Sequence, residues 1–403
     1  MVVEIRPGIA RGTVAAPPSK SMAHRCLIVA ALAKGKSRIS GLEYSQDILA
    51  TIDCLRALGV SVEQSGSVVT VERKGPLTPI EPLNCRESGS TLRFMIPLCL
   101  LSGQKATFRG SDRLMERPQT VYEELSREMG FLFERSLNEI TVEGRLISGE
   151  YTVDGSVSSQ FITGLLFALV TLEGKSRIHL TGKAESRSYI DLTLKALADF
   201  GFSVSWESEN TLVIQGGEQG ISRELTVEGD YSNAAFLDAL NWMGGEVEVT
   251  GLWPDSLQGD RIYRFYFEEL KQGCPVLSLA DCPDLGPILF VMAAALNGAK
   301  FTNTARLKIK ESDRGAAMAR ELKKCGVLLH LKENEIEVPG GQLTPPAKIL
   351  EGHNDHRIVM AMAVLSCKLG GKIRGAEAVA KSIPHFFEKL KGLGIEVIKD
   401  ETE

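Results

Sequence analysis

Basic side chains recur in this sequence at points where helices are expected to begin or strands to end. Lys20 and Arg25 lie in PPSKSMAHR, Arg93 in ESGSTLR, Arg117 in LMERPQT, Arg187 in ESRSYID and Arg357 in NDHR. Lys308, Lys310 and Arg314 crowd into RLKIKESDR, and Lys381 lies in AKSIPHF. An arginine fork matches the geometry of a carboxylate or phosphate, and a lysine adds a point charge. Acids stand among them: Asp284 in DCPDLGP, and Glu311 and Asp313 in KIKESDR. A carboxylate beside cations can take or give a proton at a pKa those cations set. Each base taken alone also reads as a solvated surface charge, and each acid as a helix cap or ion-pair partner. Together they point to an enzyme that binds two anionic small molecules between two domains and moves protons between them.

Positioning these groups falls to a repeated element. Glycines follow helix-like apolar segments at Gly35, Gly103, Gly174, Gly244, Gly298 and Gly370, at intervals of 68, 71, 70, 54 and 72 residues. A second series, Gly59, Gly130, Gly201, Gly273, Gly326 and Gly394, precedes β-branched runs at intervals of 71, 71, 72, 53 and 68. Glycine just past a helix accepts the left-handed capping conformation, and an alternating apolar run after it reads as a half-buried strand. Six α/β units with two helices each are therefore expected. The first helix of each unit is expected to start at a cap residue: Ser19, Ser88, Ser158, Asp230, Asp284 and Asp355. Helix starts carry unpaired N–H groups and the positive dipole end, so a cluster of them is an anion site. The change from serine to aspartate caps divides the six units into two sets of three.

Composition narrows the function classes. The 403 residues allow two or three domains, and 43% apolar with 24% charged residues is ordinary for a globular protein. A formal charge of −5 gives a polyanion nothing to hold, so nucleic-acid binding is not expected. The longest uncharged stretches, 155–172 and 285–299, carry glycine and are interrupted by polar residues, so neither reads as a membrane span. Glu4 and Arg6 interrupt the start of the chain, no signal peptide is expected, and a cytoplasmic location follows. The eight cysteines have no CxxC spacing, and His353 with His356 lacks further ligands, so no metal is expected. GKS at Gly35 and Gly174 lacks the earlier glycine of a P-loop, with Ala30 and Leu169 in its place.

Nine segments in order, PPSKSMAHR, SGSTLR, ERP, SSQF, SYIDLTL, VEGD, KESDR, NDHR and KSIP, span the chain from about Pro17 to Phe387. In this order and spacing they make the chain resemble the 5-enolpyruvylshikimate-3-phosphate (EPSP) synthase family. The resemblance implies an α/β fold, a two-domain inverse α/β barrel with three βαβαββ repeats per domain and a cleft between them. The domains expected are 1–18 with 229–403, and 19–228. The implied reaction moves the enolpyruvyl group of phosphoenolpyruvate to the 5-hydroxyl of shikimate 3-phosphate, releasing phosphate, on the route to chorismate and aromatic amino acids. No cofactor is implied, the partners are the two small substrates, and a monomer is expected.

The resemblance also implies roles. Lys20, Ser21, Arg25, Ser158, Ser159, Gln160, Ser186, Tyr189, Asp284 and Lys310 would bind shikimate 3-phosphate. Lys20, Gly89, Arg117, Gln160, Arg314, Arg357 and Lys381 would hold phosphoenolpyruvate. Asp284 would take the 5-hydroxyl proton, Glu311 would handle the proton at the methylene carbon, and Lys20 would assist. Departures from the family pattern stand at Glu87 and Ser88, where Asn and Ala are frequent, at Ser90 for Thr, at Phe94 for Pro, and at Arg306 for Asn. Two rival families share part of this pattern. UDP-N-acetylglucosamine enolpyruvyl transferase shares the fold but usually carries a cysteine in the loop that here reads GSDRLMERP, and Cys85 lies before the helix start instead. A non-catalytic RNA-associated relative would show aromatic platforms among its basic loops, and 6% aromatics are not so interleaved.

Overall fold

The computed structural model describes residues 1–182, 186–341 and 343–400. The chain folds as two compact units, Met1–Pro17 with Gly229–Glu403, and Pro18–Glu228. Each has its own apolar core. At the centre of both lie helices apolar nearly all round, as expected of helices buried on every side. In the second unit these are Lys20–Leu32, Gly89–Cys99 and Ser159–Leu169. In the first they are Tyr231–Trp242, Gly286–Ala295 and His356–Leu369.

Four-stranded sheets cover those helices, and five of them share one order. A parallel pair joins across the buried helix, and an antiparallel hairpin follows the second helix. Glu150–Asp154 runs parallel to Lys175–Thr181, which pairs antiparallel with Thr211–Gln215, and Val204–Ser208 closes the edge. The sheet built on Lys36–Ser40 borrows its parallel strand, Glu224–Thr226, from the far end of its own unit. Likewise the sheet on Gly371–Arg374 takes Val2–Ile5 from the start of the chain as the inner strand of its hairpin. Each unit is thus closed by strands distant in sequence.

The fourth sheet is reduced to two parallel strands, Glu246–Thr250 and Arg11–Ala15. That accounts for the short intervals of 54 and 53 in the two glycine series. It also corrects one expectation. The first-series glycines all have φ between 73° and 99°, and five of the second series lie between 77° and 87°, but Gly273 has φ 176°. No hairpin follows it, so the chain leaves the Tyr263–Gln272 helix extended and needs no left-handed turn.

Five of the six expected caps accept a hydrogen bond from a backbone N–H in the first turn of their helix: Ser19, Ser88, Ser158, Asp230 and Asp355. Asp284 does not. The short 3₁₀ turn Pro283–Leu285 leads into the Gly286–Ala295 helix, which begins at Leu285 with no side-chain cap. With Pro287 in its first turn this helix has one fewer orphan donor, and the Asp284 carboxylate is available to cations instead. In the second unit the central helices touch closely. A Cβ on Gly164 would stand 2.3 Å from Arg93 O and 2.6 Å from Tyr122 Oη, so only glycine fits at that crossing. Among the described residues no helix is long and apolar enough to cross a membrane.

Candidate functional site

In the unit Pro18–Glu228, three helix starts carry the expected residues. Ser19, Ser88 and Ser158 cap their helices through Met22 N, Thr91 N and Gln160 N at 3.3, 3.2 and 3.3 Å. Lys20 pairs with Asp47 at 2.8 Å. Arg25 is buried, and its fork spans two elements, with Nη1 to Ser21 O at 2.7 Å, Nη2 to Tyr189 O at 2.8 Å and Nε to Thr193 Oγ1 at 2.9 Å. Burial lowers its pKa to about 10, so it keeps its charge at neutral pH. Arg25 therefore holds the Ser21 and Tyr189 backbones together as well as offering charge.

Ser186 is a non-glycine residue at φ 56°, buried, and makes no capping bond to the Arg187–Asp199 helix it precedes. A left-handed serine is a locally strained conformation of the kind that functional loops hold. Gln160 is fixed at both ends of its amide. Arg93 Nη1 donates to Oε1 at 2.7 Å, and Nε2 donates to Ser90 Oγ at 2.9 Å. Arg117 packs against the helix start itself: a Cβ on Gly89 would lie 2.4 Å from Arg117 Nη1 and 2.8 Å from its Cζ. Arg117 is buried, and its Nε has no hydrogen-bond partner. A guanidinium beside a helix start is an arrangement that suits an anion.

In the unit that holds residues 229–403, a charge cluster centres on Arg314, whose side chain is 1% exposed. Its Nη1 reaches Asp284 Oδ1 at 2.7 Å, Nη2 reaches Glu311 Oε2 at 2.8 Å, and Nε reaches Asp355 Oδ2 at 2.9 Å. Lys310 Nζ lies 3.2 Å from Asp284 Oδ1, and Arg357 Nη2 lies 3.6 Å from Asp284 Oδ2. Burial by itself would raise the Asp284 carboxyl, but Lys310, Arg314 and Arg357 outweigh it and hold the pKa well below the usual carboxylate range. Lys310 is lowered as well, to about 8, but here burial outweighs the opposing charge of Asp284. Arg357 also donates to Asn233 Oδ1 at 2.8 Å, and its buried Nε has no hydrogen-bond partner. Lys381 Nζ donates to Asn354 O at 2.6 Å, in a turn where His353 and Asn354 both have positive φ. Other residues singled out in the sequence stand apart from these groups: the Arg187 guanidinium lies over the Trp206 ring, 3.9 Å from its centroid, and Asp313 caps the Arg314–Lys324 helix, accepting from Ala316 N at 3.0 Å. Among the described residues no set of three His, Cys, Asp or Glu side chains could hold a metal ion. His353 instead meets Glu321 at 2.8 Å.

A sequence model of the EPSP synthase (3-phosphoshikimate 1-carboxyvinyltransferase) family matches residues 6–271 and 266–390. A 3-phosphoshikimate 1-carboxyvinyltransferase of Clostridium kluyveri is 38% identical over 417 residues, covering 98% of both chains. Its namesake in Clostridioides difficile is 36% identical over 424 residues, covering 97% of both. The chain belongs to the EPSP synthase family. An EPSP synthase structure from Acinetobacter baumannii superposes with a TM-score of 0.78 over 99% of this chain and 100% of that one, at 24% identity, which speaks for the shared fold.

Two of the departures from the EPSP synthase pattern have local partners in the fold. Phe94 is buried and fills the core beside Phe167, with ring centroids 5.4 Å apart, and lies 5.6 Å below the Arg25 guanidinium. Ser90 supplies the acceptor for Gln160, a bond its hydroxyl makes without the methyl of threonine. Reasoning from sequence overlooked Asp47 and the buried Asp355. Asp47 sits inside EYSQD with no motif around it, and its only signal is its place in the first turn of a helix capped by Ser45. Asp355 reads as a cap, which it is, but it also carries Arg314.

Proposed function

We propose that this EPSP synthase family member transfers the enolpyruvyl group of phosphoenolpyruvate to the 5-hydroxyl of shikimate 3-phosphate and releases phosphate. The observation that carries the reading is the Asp284 carboxylate, ionised and gripped by Lys310, Arg314 and Arg357. The serines 158, 159 and 186 with Ser21, Arg25 and Tyr189 suit a sugar-sized phosphate monoester. Gly89 with Arg117 in one unit, and Arg314, Arg357 and Lys381 in the other, suit a phosphorylated carboxylate. Lys20 and Gln160 serve both ligands.

Binding supplies the first chemical step. When a dianion arrives at Arg314 and Arg357, it competes with Asp284 for their charge. The carboxylate then rises from its depressed pKa toward that of a usable base. Asp284 takes the 5-hydroxyl proton as that oxygen bonds to C2 of phosphoenolpyruvate, and Glu311 serves the proton that adds to the C3 methylene. Loss of phosphate and of one C3 proton restores the double bond in the product. Lys20, Lys310 and the arginines stabilise the charge that develops, which is where preorganised cations act most strongly. Phosphorus NMR of the protein with both substrates tests this. The phosphoenolpyruvate signal should give way to inorganic phosphate while the shikimate 3-phosphate monoester signal shifts but persists. Loss of the monoester signal as well would mean plain phosphatase action and refute the reading.

A further inference from the structure

Asp47 and Thr51 lie one turn apart on the Gln46–Ala57 helix, so their side chains share one face. That face touches two of the three helix starts in its unit. Toward the first, Asp47 Oδ2 holds Lys20 Nζ at 2.8 Å, with side-chain exposures of only 12% and 16%. Toward the same helix one turn further in, Thr51 Oγ1 meets His24 Nδ1 at 2.7 Å. Toward the second, Thr51 Oγ1 meets Thr91 Oγ1 at 2.8 Å, and Thr91 in turn meets the Ser88 cap, with Oγ1 at 2.8 Å and N at 3.2 Å. His24, Thr51, Thr91 and Ser88 are all buried. Burial followed by the charges of Lys20 and Arg25 keeps His24 well below its ordinary pKa, so the chain of hydroxyls ends on a neutral ring. Such a network, cut off from water, has one preferred arrangement.

The helix is therefore a strut between Lys20 and the helix start at Gly89. A lysine chain has several free rotors, and fixing them is costly at the moment of reaction unless a partner has already done so. We infer that Asp47 is a positioning residue, which presets the Lys20 ammonium for enolpyruvyl transfer and ties its position to the helix start at Ser88. The inference rests on the reading of Lys20 as a ligand-contacting group. Asp47 does not touch the reacting atoms and acts through Lys20, so its effect should vanish when Lys20 is absent.

The test is a double-mutant cycle on kcat/KM for each substrate, using Asp47→Ala, Lys20→Ala and the pair together, with Asp47→Asn as a near-isosteric second variant. Asp47→Ala should cost on the order of tenfold in the unaltered protein, within the usual range for directly coupled pairs. The same change should cost less than about twofold in the Lys20→Ala background. Asp47→Asn, which keeps an acceptor oxygen on the same stem, should lie between Ala and the unaltered protein. A merely structural role would instead multiply the same loss into both backgrounds, and that result overturns the inference. So would Asp47→Ala and Asp47→Asn variants that are folded and fully active. Failure of the underlying reading looks different: Lys20→Ala would then be as active as the unaltered protein.

Discussion

Replacing Asp284 with asparagine tests the proposed chemistry at one atom. Asparagine keeps the shape and an oxygen that Arg314 Nη1, now at 2.7 Å from Oδ1, can still meet, but it cannot take a proton. A positioned general base contributes about 10²–10⁴ in rate, or about 2.7–5.5 kcal/mol of transition-state stabilisation. The kcat of Asp284→Asn should therefore fall by about 10²–10⁴. Binding should behave in the opposite sense. Lys310, Arg314 and Arg357 share one carboxylate in the free protein, and removing its charge leaves all three to an incoming anion. The dissociation constants of both substrates should hold or tighten. The assay is phosphate release under saturation, with titration calorimetry for binding. A variant that turns over within about tenfold of the unaltered protein would refute the assignment of Asp284 as base. A kcat that falls only because shikimate 3-phosphate no longer binds would refute the electrostatic account of its three cations.

Further outcomes follow from specific contacts. Gly89→Ala places a Cβ 2.4 Å from Arg117 Nη1, so the guanidinium must move. KM for phosphoenolpyruvate should rise by on the order of tenfold or more, since small misplacements of a charge clamp are costly, while KM for shikimate 3-phosphate changes little. Gly164→Ala drives a methyl into Arg93 O and should destabilise its unit by about 1–3 kcal/mol, read as a lower thermal midpoint. Lys310 has its pKa lowered to about 8, so its positive charge is lost as pH rises through that value. The kcat/KM for shikimate 3-phosphate should decline above about pH 8, and Lys310→Arg should move that limb upward. His24 has its pKa depressed in the fold, so below about pH 6.5 the unfolded chain binds a proton that the folded chain refuses. Stability should fall as pH drops below that point, and denaturant titrations of His24→Gln should show a shallower slope there.

Much of the architecture was written in glycine. Both series keep step because five of the six repeats need a left-handed turn in the same two places, and a left-handed turn is something a sequence shows openly. The shortened interval at Gly244–Gly298 even marks the repeat that lost its hairpin. Less visible were strands such as Val2–Ile5 and Glu224–Thr226, which close sheets with partners far away in sequence and so leave no local pattern. In the candidate site, basic residues at helix starts were legible because charge there is rarely needed for folding. Asp284 looked like its five companion caps, and only the fold shows its carboxylate turned to Lys310 and Arg314. Asp47 could not be found at all, because its meaning depends on Lys20 being brought beside it from 27 residues away.

The central claim is tested most directly by phosphate release from phosphoenolpyruvate by the purified protein, alone, with shikimate 3-phosphate, and with UDP-N-acetylglucosamine as the alternative acceptor. The account predicts release only with shikimate 3-phosphate, in an amount equal to the acceptor consumed. Release with the nucleotide sugar, or none with either acceptor, would contradict it.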